Sequence, residues 1–428
     1  MADTVVASTG VDTNTHFATS GGTQRMLVET SASNIYWFYK NTTGDLVYRK
    51  STNGGTSFGS EVSVHTNATA AWVAPSVWFD KWTSGNTGTK IHIAFLEQST
   101  TGLIYMSLNT ASDTLSGETS TDLSISFGSD QSSVSSIAVA RGGNIYISYS
   151  GWDGSATRQG FYRSTDSGAT FTSRAHPHDG NDNEAPNHQL LPGNEADNQD
   201  MWMSRVAFSF GGVRLSVYDD SANTWANSDD DIGGGGSYIN SGEDDYRRLS
   251  AAIRHSDGHC ISVYVAIDDA ASDIKVIDST SLNSHSVKTD IATNADDLGP
   301  ISLYIDQNTD ELFVFALGKI DGSETWGTSV NVYVHRSTNG GTSWSTTQYS
   351  ESTAANLSGI FTSHSSPGAA SGRACAGWFN EGDADLLFGA TNSVEVGAAG
   401  GGGDPEIALI RGGKLVGGGL LLKGGLRG

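Results

Sequence analysis

The sequence predicts an all-β chain whose residues 22–395 fold as a seven-bladed β-propeller, with six blades as the alternative. Three observations lead to this prediction: an eight-residue turn that recurs three times, pairs of apolar strands, and a common spacing between these pairs. Because strands and tight turns account for nearly all of the pattern, we expect almost no helix.

The recurring turn follows an alternating strand each time. Its first copy reads STNGGTSF, and its third residue can accept backbone N–H bonds from two residues further on. The glycine at its fifth place can adopt a positive φ, and we expect the final aromatic residue to act as an apolar plug. Such a turn satisfies its own hydrogen bonds and needs no partner elsewhere. Its defining residues are Ser51, Asn53, Gly55 and Phe58 in the first copy, Ser164, Asp166, Gly168 and Phe171 in the second, and Ser337, Asn339, Gly341 and Trp344 in the third. A degenerate copy, Tyr218–Trp225, keeps Asp220, Thr224 and Trp225 but lacks the glycine.

The strand pairs give the blade count. The first apolar residue of each pair recurs seven times at intervals of roughly 50 to 60 residues, and so does the turn that follows. These first apolar residues are Ile35, Ile91, Ile145, Val206, Ile261, Leu312 and Ala374. A unit of this length with four short strands cannot bury its faces alone and must stack on its neighbours in a ring. We expect residues 1–21, through a strand within Asp3–Thr9, to join the last blade and remove its exposed edge.

Composition excludes several classes of function. The formal net charge of −23 disfavours nucleic acid and anionic membrane surfaces as partners. No apolar run reaches 18 residues, so we expect no membrane insertion, and the N-terminus has no secretory signal pattern. Cys260 and Cys375 match no metal-binding spacing. We expect both to be buried small apolar residues, with a disulfide as the alternative.

The repeated turns resemble the Asp-box, or BNR repeat, of sialidase-like propellers. The resemblance implies that the turns are structural and lie at the blade periphery. In enzymes of that family it also implies six blades, an arginine triad for a carboxylate, a Tyr/Glu nucleophile pair and an aspartic acid/base. Here Arg25, in TQRMLVET, lies near the place of the first arginine, although Met26-Leu27 replaces the family's Ile-Pro.

Further candidate ligand-binding residues are Tyr246, Arg247 and Arg248, which we place on the inner strand of the fifth blade. A guanidinium group suits bidentate binding of a carboxylate. The alternative is that these arginines balance the acidic run at residues 243–245. Glycoside hydrolysis needs two carboxylates at a set separation, and no such pair is apparent, so we assign no catalytic residue.

Two acidic segments carry the kinds of oxygen ligand that calcium binds. Residues 176–200 are predicted to be a loop joining blades three and four, and residues 227–245 a loop joining blades four and five. Both are rich in oxygen ligands, but neither follows an EF-hand or RTX spacing. We therefore expect both segments to be solvated loops that bind no cofactor. The alternative is that they bind calcium. If the protein binds a ligand, such loops are where it is expected.

The tail, residues 396–428, alternates glycine clusters with short apolar pieces and is basic, unlike the rest of the chain. These apolar pieces are too short to form a core of their own. The pattern therefore predicts that residues 404–428 dock on copies of the chain or on other virion proteins. A disordered end is the alternative. The apolar residues are Ile407, Leu409, Ile410, Leu415, Val416, Leu420, Leu421 and Leu422.

The sequence as a whole predicts a non-catalytic structural or attachment protein of a virion, with glycans as candidate ligands. The polar surface, the absence of a signal sequence and the docking tail together resemble bacteriophage virion proteins that carry BNR-type propellers. The alternatives are a sialidase-like glycoside hydrolase, and a lectin-like or scaffold propeller in an extracellular or cytoplasmic setting.

Overall fold

A computed structural model describes most of the chain outside its tail. The described residues are 3–7, 25–66, 72–97, 102–124, 134–152, 157–176, 188–193, 197–207, 212–227, 249–268, 271–291, 300–317, 331–351, 357–365, 373–380, 385–389 and 394–395. The tail and Tyr246, Arg247 and Arg248 lie outside these ranges.

Strands make up almost all of the regular structure in these ranges, and the only helical residues there form one 3-10 turn, Asp80–Trp82. No helix in the described part of the chain is long and apolar enough to cross a membrane. In chain order the strands are β1 (Thr4–Ala7), β2 (Leu27–Glu29), β3 (Ile35–Lys40), β4 (Leu46–Ser51), β5 (Val62–His65), β6 (Trp72–Phe79), β7 (Lys90–Glu97), β8 (Gly102–Asn109), β9 (Thr114–Leu115), β10 (Thr119–Asp122), β11 (Val134–Val139), β12 (Ile145–Trp152), β13 (Thr157–Ser164), β14 (Thr172–Ser173), β15 (His188–Pro192), β16 (Met201–Ala207), β17 (Gly212–Asp219), β18 (Thr224–Asn227), β19 (Leu249–Ile253), β20 (Cys260–Asp268), β21 (Ala271–Ser281), β22 (Ser284–Val287), β23 (Ile301–Ile305), β24 (Leu312–Leu317), β25 (Asn331–Ser337), β26 (Ser345–Glu351), β27 (Leu357–Thr362), β28 (Arg373–Ala374), β29 (Ala376–Asn380), β30 (Asp385–Phe388) and β31 (Val394–Glu395).

The described strands form seven antiparallel blades. From the innermost strand outwards, the blades are β2-β3-β4-β5, β6-β7-β8-β10, β11-β12-β13-β14, β15-β16-β17-β18, β19-β20-β21-β22, β23-β24-β25-β26 and β27-β29-β30-β1. Short strand β9 pairs with β8, and β28 pairs with β31. The prediction of an all-β, seven-bladed propeller is confirmed, and the alternative of six blades is wrong.

The seventh blade combines the first strand of the propeller sequence with three of its last strands. Its outermost strand is β1, which pairs antiparallel with β30 so that Thr4 lies opposite Phe388. The seven innermost strands form the inside of the ring, and each contacts the innermost strands of the blades on both sides.

A recurrent hydrogen bond ties these inner strands together. Ser136 Oγ accepts from the backbone N–H of Leu190 in the next blade, at 2.9 Å. The same kind of link recurs at four more of the seven junctions between blades, where a polar side chain on or next to one inner strand accepts from an N–H of the neighbouring blade. The further links are Gln189 Oε1 to Ala251 N (2.7 Å), Ser250 Oγ to Leu303 N (3.0 Å), Ser302 Oγ to Thr362 N (3.2 Å) and Ser363 Oγ to Glu29 N (3.2 Å).

The core lies mainly between adjacent blades. One apolar cluster joins blades seven and one, another blades five and six, and a third blades six and seven. The largest cluster runs through blades one to five. Cys260 and Cys375 are both buried and unbridged, so the prediction of small buried residues is confirmed and the disulfide alternative is wrong.

The three repeated turns share one geometry. In each, the first serine Oγ accepts from the glycine N–H four residues on, at 2.8 Å. The Asn or Asp Oδ1 accepts a backbone N–H at 2.9 Å, but from the residue four places on rather than two. Gly55, Gly168 and Gly341 have φ values of 86°, 91° and 89°, as the turn requires. The glycine prediction is confirmed, and the spacing predicted for the Asn or Asp bond is wrong.

The turns are not self-contained. Thr119 Oγ1 of the second blade donates to Gly168 O at 2.8 Å, and Phe171 lies against Tyr105 of the same blade. Trp344 Nε1 donates to Thr289 O of the fifth blade at 3.1 Å. Each aromatic plug therefore packs on the preceding blade, and the prediction that the turn needs no partner elsewhere is wrong.

The degenerate turn 218–225 differs in the role of Asp220. Arg163 Nη1 donates to both carboxylate oxygens of Asp220 at 2.8 Å, and Arg174 Nη2 lies 3.5 Å from Oδ1. The turn itself is stabilised by Asp219, whose Oδ1 accepts from Ala222 N at 2.9 Å. Asp220 therefore joins blades three and four, because both arginines belong to the third blade.

Candidate functional site

The two ends of the propeller differ in which connections they carry. In an antiparallel blade the first and third strands run in the same direction. The connections from first to second strand and from third to fourth strand therefore leave at one end, which we call the turn face. The three repeated turns follow third strands and lie on this face. Most connections at the other end lie outside the described residues.

A cavity of about 190 Å³ opens near the axis on the turn face. Its walls are the connections between first and second strands in blades two to five, so four separate stretches of sequence build it. The described lining residues are Trp82, Ser84, Arg141, Pro192, Gly193, Ile253, His255, Ser256, Asp257 and Gly258. Ser84, Arg141, His255, Ser256 and Asp257 are at least partly exposed to solvent, whereas Trp82, Pro192 and Ile253 are buried beneath them.

The end of β19 and the connection after it contribute half of these residues, and backbone hydrogen bonds fix the shape of the connection. Arg254 N donates to His259 O at 2.9 Å, and Gly258 N donates to Arg254 O at 2.8 Å. Gly258 has a φ of 74°, which a glycine adopts without strain. From blade six, the Gln307 side chain accepts from His255 N at 2.7 Å and donates to Ile253 O at 2.9 Å. The wall is thus formed before any ligand binds.

A partly buried ion-pair network holds Asp257 at the edge of the cavity. Arg254 Nε lies 3.1 and 3.0 Å from the two carboxylate oxygens of Asp257, and its Nη2 lies 3.2 Å from Asp278 Oδ2. Asp278 is also bound by His259 Nδ1 at 2.6 Å and by Lys288 Nζ at 3.3 Å. Pairing with Arg254 and its neighbours lowers the pKa of Asp257 against the opposing effect of burial, so this carboxylate is ionised at neutral pH.

His255 spans the axis from blade five to blade two. Its Nε2 lies 3.0 Å from the backbone oxygen of Trp82, which can only accept, so Nε2 carries the proton. Burial lowers the pKa of His255, so the ring is neutral at physiological pH and Nδ1 keeps a lone pair. Among the described residues Nδ1 has no hydrogen-bond partner, and it can accept from a hydroxyl group.

Arg25 lies deeper in the axis and is 5% exposed. Its Nη2 donates to Leu190 O at 3.1 Å and lies 3.5 Å from Gln189 Oε1, and its Nη1 lies 3.4 Å from Ile137 O. The guanidinium group therefore crosses from blade one to blades three and four. It also covers the ring of Trp78 at 4.8 Å. Burial lowers the pKa of Arg25 to about 9.

The acidic segment 176–200 is not a single loop as predicted. Its residues 188–192 form β15, the innermost strand of the fourth blade, and all five are buried. Asp197, Asp200 and Asp219 bring one carboxylate oxygen each to within 4.8 Å of one another. Asp200 Oδ1 accepts from Asp220 N at 3.0 Å, and Asp219 Oδ1 accepts from Ser221 and Ala222. An acidic cluster with such local partners does not by itself define a cation site, and the expectation of no cofactor stays a prediction.

Of the predicted ligand-binding residues, the structure describes only Arg25, which lies below the cavity and does not line it. The cavity residues were not found by sequence reasoning. They come from four short connections in different blades, with no shared motif. The one signal in the sequence was the cluster of ionisable residues in RHSDGH, residues 254–259.

Comparisons with known proteins address the fold. No protein-family model matches the chain, and no curated protein sequence matches it. Among solved structures it is similar to an ulvan lyase, described as a new family of polysaccharide lyase and bound to a GlcA(1-4)Rha3S saccharide. That match has 10% identity and a TM-score of 0.56, and covers 90% of this chain and 94% of the lyase. The chain is also similar to a fungal alcohol oxidase in complex with copper, with 11% identity, a TM-score of 0.54, and 86% and 74% of the two chains covered. A Hadza microbial sialidase matches with 10% identity and a TM-score of 0.49, over 89% of this chain and 67% of the sialidase. At these identities the likenesses to the lyase and the oxidase show a common propeller fold and nothing further.

Proposed function

We propose that the chain is a non-catalytic glycan-binding propeller whose ligand, a single sugar residue, occupies the cavity on the turn face. The observation that carries this proposal is the combination of polar and apolar side chains that line the preformed cavity. Ser84 and Ser256 supply hydroxyl groups, His255 supplies an acceptor, and Ile253 and Pro192 supply apolar surface. Small-ligand sites typically combine an apolar lining with a few fixed polar groups in this way.

The size of the cavity limits the ligand. Sites for drug-sized ligands have volumes of roughly 300–1,000 Å³, and this cavity has about 190 Å³. One sugar ring is therefore the appropriate unit, with the rest of a glycan outside. At roughly 0.3 kcal/mol of binding free energy per non-hydrogen atom, one ring binds with a Kd in the millimolar range.

The arrangement of carboxylates favours binding over hydrolysis. Glycoside hydrolysis normally uses two carboxyl groups placed on either side of the scissile bond. Among the described residues that line the cavity, Asp257 is the only carboxylate, and it is bound by Arg254. The ulvan lyase, which has the same fold, is bound to a saccharide, and this supports a saccharide as the class of ligand without transferring the lyase reaction.

Saturation-transfer NMR with a panel of neutral methyl hexosides and glucuronate tests the proposal. We expect saturation transfer from the wild-type protein to at least one sugar, and its loss in a double variant, Ser84→Ala with His255→Ala. Arg158→Ala removes an exposed residue of blade three that does not line the cavity, and should leave binding unchanged. Absence of transfer to every sugar, or equal transfer in the double variant, would contradict the assignment.

Catalysis is tested separately with an aryl sialoside. We expect no release of the aryl group above the rate without protein. Turnover that disappears in Arg25→Ala would instead establish the sialidase-like hydrolase that the repeated turns suggested as an alternative.

We further propose that the propeller is displayed on a bacteriophage particle and attached through residues 404–428. The support comes from the sequence: a polar, acidic body and a basic tail with nine large apolar residues separated by glycine clusters. Deletion of residues 404–428 should leave the melting temperature (Tm) unchanged and abolish incorporation into particles. A large fall in Tm would show that the tail belongs to the propeller core, and normal incorporation would show that attachment uses another surface.

A further inference from the structure

The axis of the propeller contains a buried arginine, Arg25, whose described partners are all uncharged. Arg25 is 5% exposed, and its described partners are two backbone carbonyls, the Gln189 amide and the Trp78 ring. No carboxylate lies within ion-pair distance of it among the described residues. A buried ion without a counter-charge is costly, because neutral dipoles replace only part of its hydration.

Unsatisfied polar atoms surround the same point. Arg25 Nε, Trp82 Nε1 and His364 Nε2 are all buried and have no hydrogen-bond partner in the described part of the chain. Ser76 Oγ is likewise unsatisfied, and Ser76 lies on the same side of β6 as Trp78, which Arg25 covers. Buried polar atoms in native proteins are nearly always paired with protein, water or an ion.

These atoms belong to one compact group. The ring centroids of Trp78 and His364 are 4.9 Å apart, those of Trp82 and His364 5.4 Å, and those of Trp78 and Trp82 5.6 Å. The guanidinium carbon of Arg25 lies 4.8 Å from the Trp78 centroid. Side chains from blades one, two and seven therefore meet at one level of the axis.

We propose that the axis binds a small inorganic anion of the size of chloride, held between the guanidinium group of Arg25 and the N–H groups of Trp82 and His364. The guanidinium group supplies the charge, and the indole and the neutral imidazole supply uncharged donors. Burial, followed by the charge of Arg25, lowers the pKa of His364 well below its usual value, so this ring is neutral rather than a second cation. In the proposed site its Nε2 carries the proton and donates to the anion. The anion balances Arg25 and links blades one, two and seven without any catalytic role.

Anion-dependent melting of the full chain tests this proposal. Tm is measured at constant ionic strength while sodium chloride replaces sodium gluconate, whose anion is too large for a buried site. We expect Tm to rise with chloride by about 2 °C or more and to reach a plateau, since a ligand that binds only the folded state stabilises it by mass action. The rise should vanish in Arg25→Met and persist in Arg158→Met, which removes an exposed arginine.

Crystals of the wild-type protein soaked in bromide give a second measurement that needs no variant. We expect an anomalous peak within hydrogen-bond distance of Arg25 Nε. Equal Tm values in chloride and gluconate, a rise that persists in Arg25→Met, or absence of the axial bromide peak would each overturn the proposal and indicate that water alone satisfies these atoms.

Discussion

The contact between a repeated turn and the preceding blade predicts a specific cost for adding one methyl group at Gly168. Gly168 has a φ of 91°, and an alanine there would hold that strained backbone at a cost of roughly 1–2 kcal/mol. Its Cβ would also lie 2.0 Å from Cε1 of Tyr105. Tyr105 cannot move aside easily, because its ring packs on Phe171 and its hydroxyl lies 2.8 Å from Nδ1 of His92.

Displacing a well-packed side chain costs a further 1–3 kcal/mol, approximately, so Gly168→Ala should lower the free energy of unfolding by about 2–5 kcal/mol. Gly143 is a matched control. Its φ is 96°, but nothing lies within 4 Å of the added Cβ, so Gly143→Ala should cost only the backbone term. Gly341→Ala should fall between the two, because its nearest contact is Lys288 Cγ at 3.0 Å, part of a flexible side chain.

Urea unfolding followed by tryptophan fluorescence measures all three variants. Equal losses for Gly168→Ala and Gly143→Ala would refute the argument, since they would show that the approach of Tyr105 contributes nothing beyond the backbone strain.

Two further predictions concern other hydrogen bonds of the fold. Bonds from Thr170 and Ser164 lower the pKa of Asp166 from 3.8 to about 2, so its stabilising contribution is present above pH 3.8 and is lost as the pH falls through about 2. Wild type should therefore lose stability relative to Asp166→Asn over that range, and an unchanged difference in Tm between the two proteins would contradict this. Ser250→Ala should cost about 1–3 kcal/mol in urea unfolding, because it leaves Leu303 N buried without an acceptor, whereas Ser112→Ala in an exposed turn should cost less than about 0.5 kcal/mol.

The sequence predicted the second and third strands of the blades better than the first. Ile35, Ile145 and Leu312, chosen as repeat markers, are the first residues of β3, β12 and β24. These strands carry long apolar runs and end in turns with a clear signature. Val206, by contrast, falls near the end of β16. The markers therefore coincide with the start of a strand in blades whose repeated turn is complete. In the blade with the degenerate turn, the marker lies away from the start of its strand.

The innermost strands were harder to recognise for a physical reason. β15 and β19 are each five residues long and buried throughout, so no alternation of polar and apolar residues marks one face. Their polar residues, such as Gln189 and Ser250, bind the backbone of the neighbouring blade instead of solvent. In the sequence, such residues resemble loop residues, and for this reason the pattern predicts an acidic loop where the structure has β15.

The residues of the candidate site could not be predicted from the sequence for a related reason. Its residues become neighbours only when four blades close around the axis, and each blade contributes one to five of them. A bond such as that between His255 and Trp82, 173 residues apart in sequence, reflects ring geometry rather than any local pattern.

The pairing of β1 with β30 has a consequence for how the chain is made. During synthesis, residues 4–7 emerge before the other strands of the propeller, but their partner strand ends at Phe388. Blades one to six can form progressively on their neighbours, whereas the seventh must wait for almost the whole propeller to leave the ribosome. Until then β1 has no partner, and the unfinished ring presents two open blade faces. Closure of so long a loop adds only slowly to the entropic cost, as the logarithm of its length, so the delay matters for the rate and order of folding rather than for the final stability.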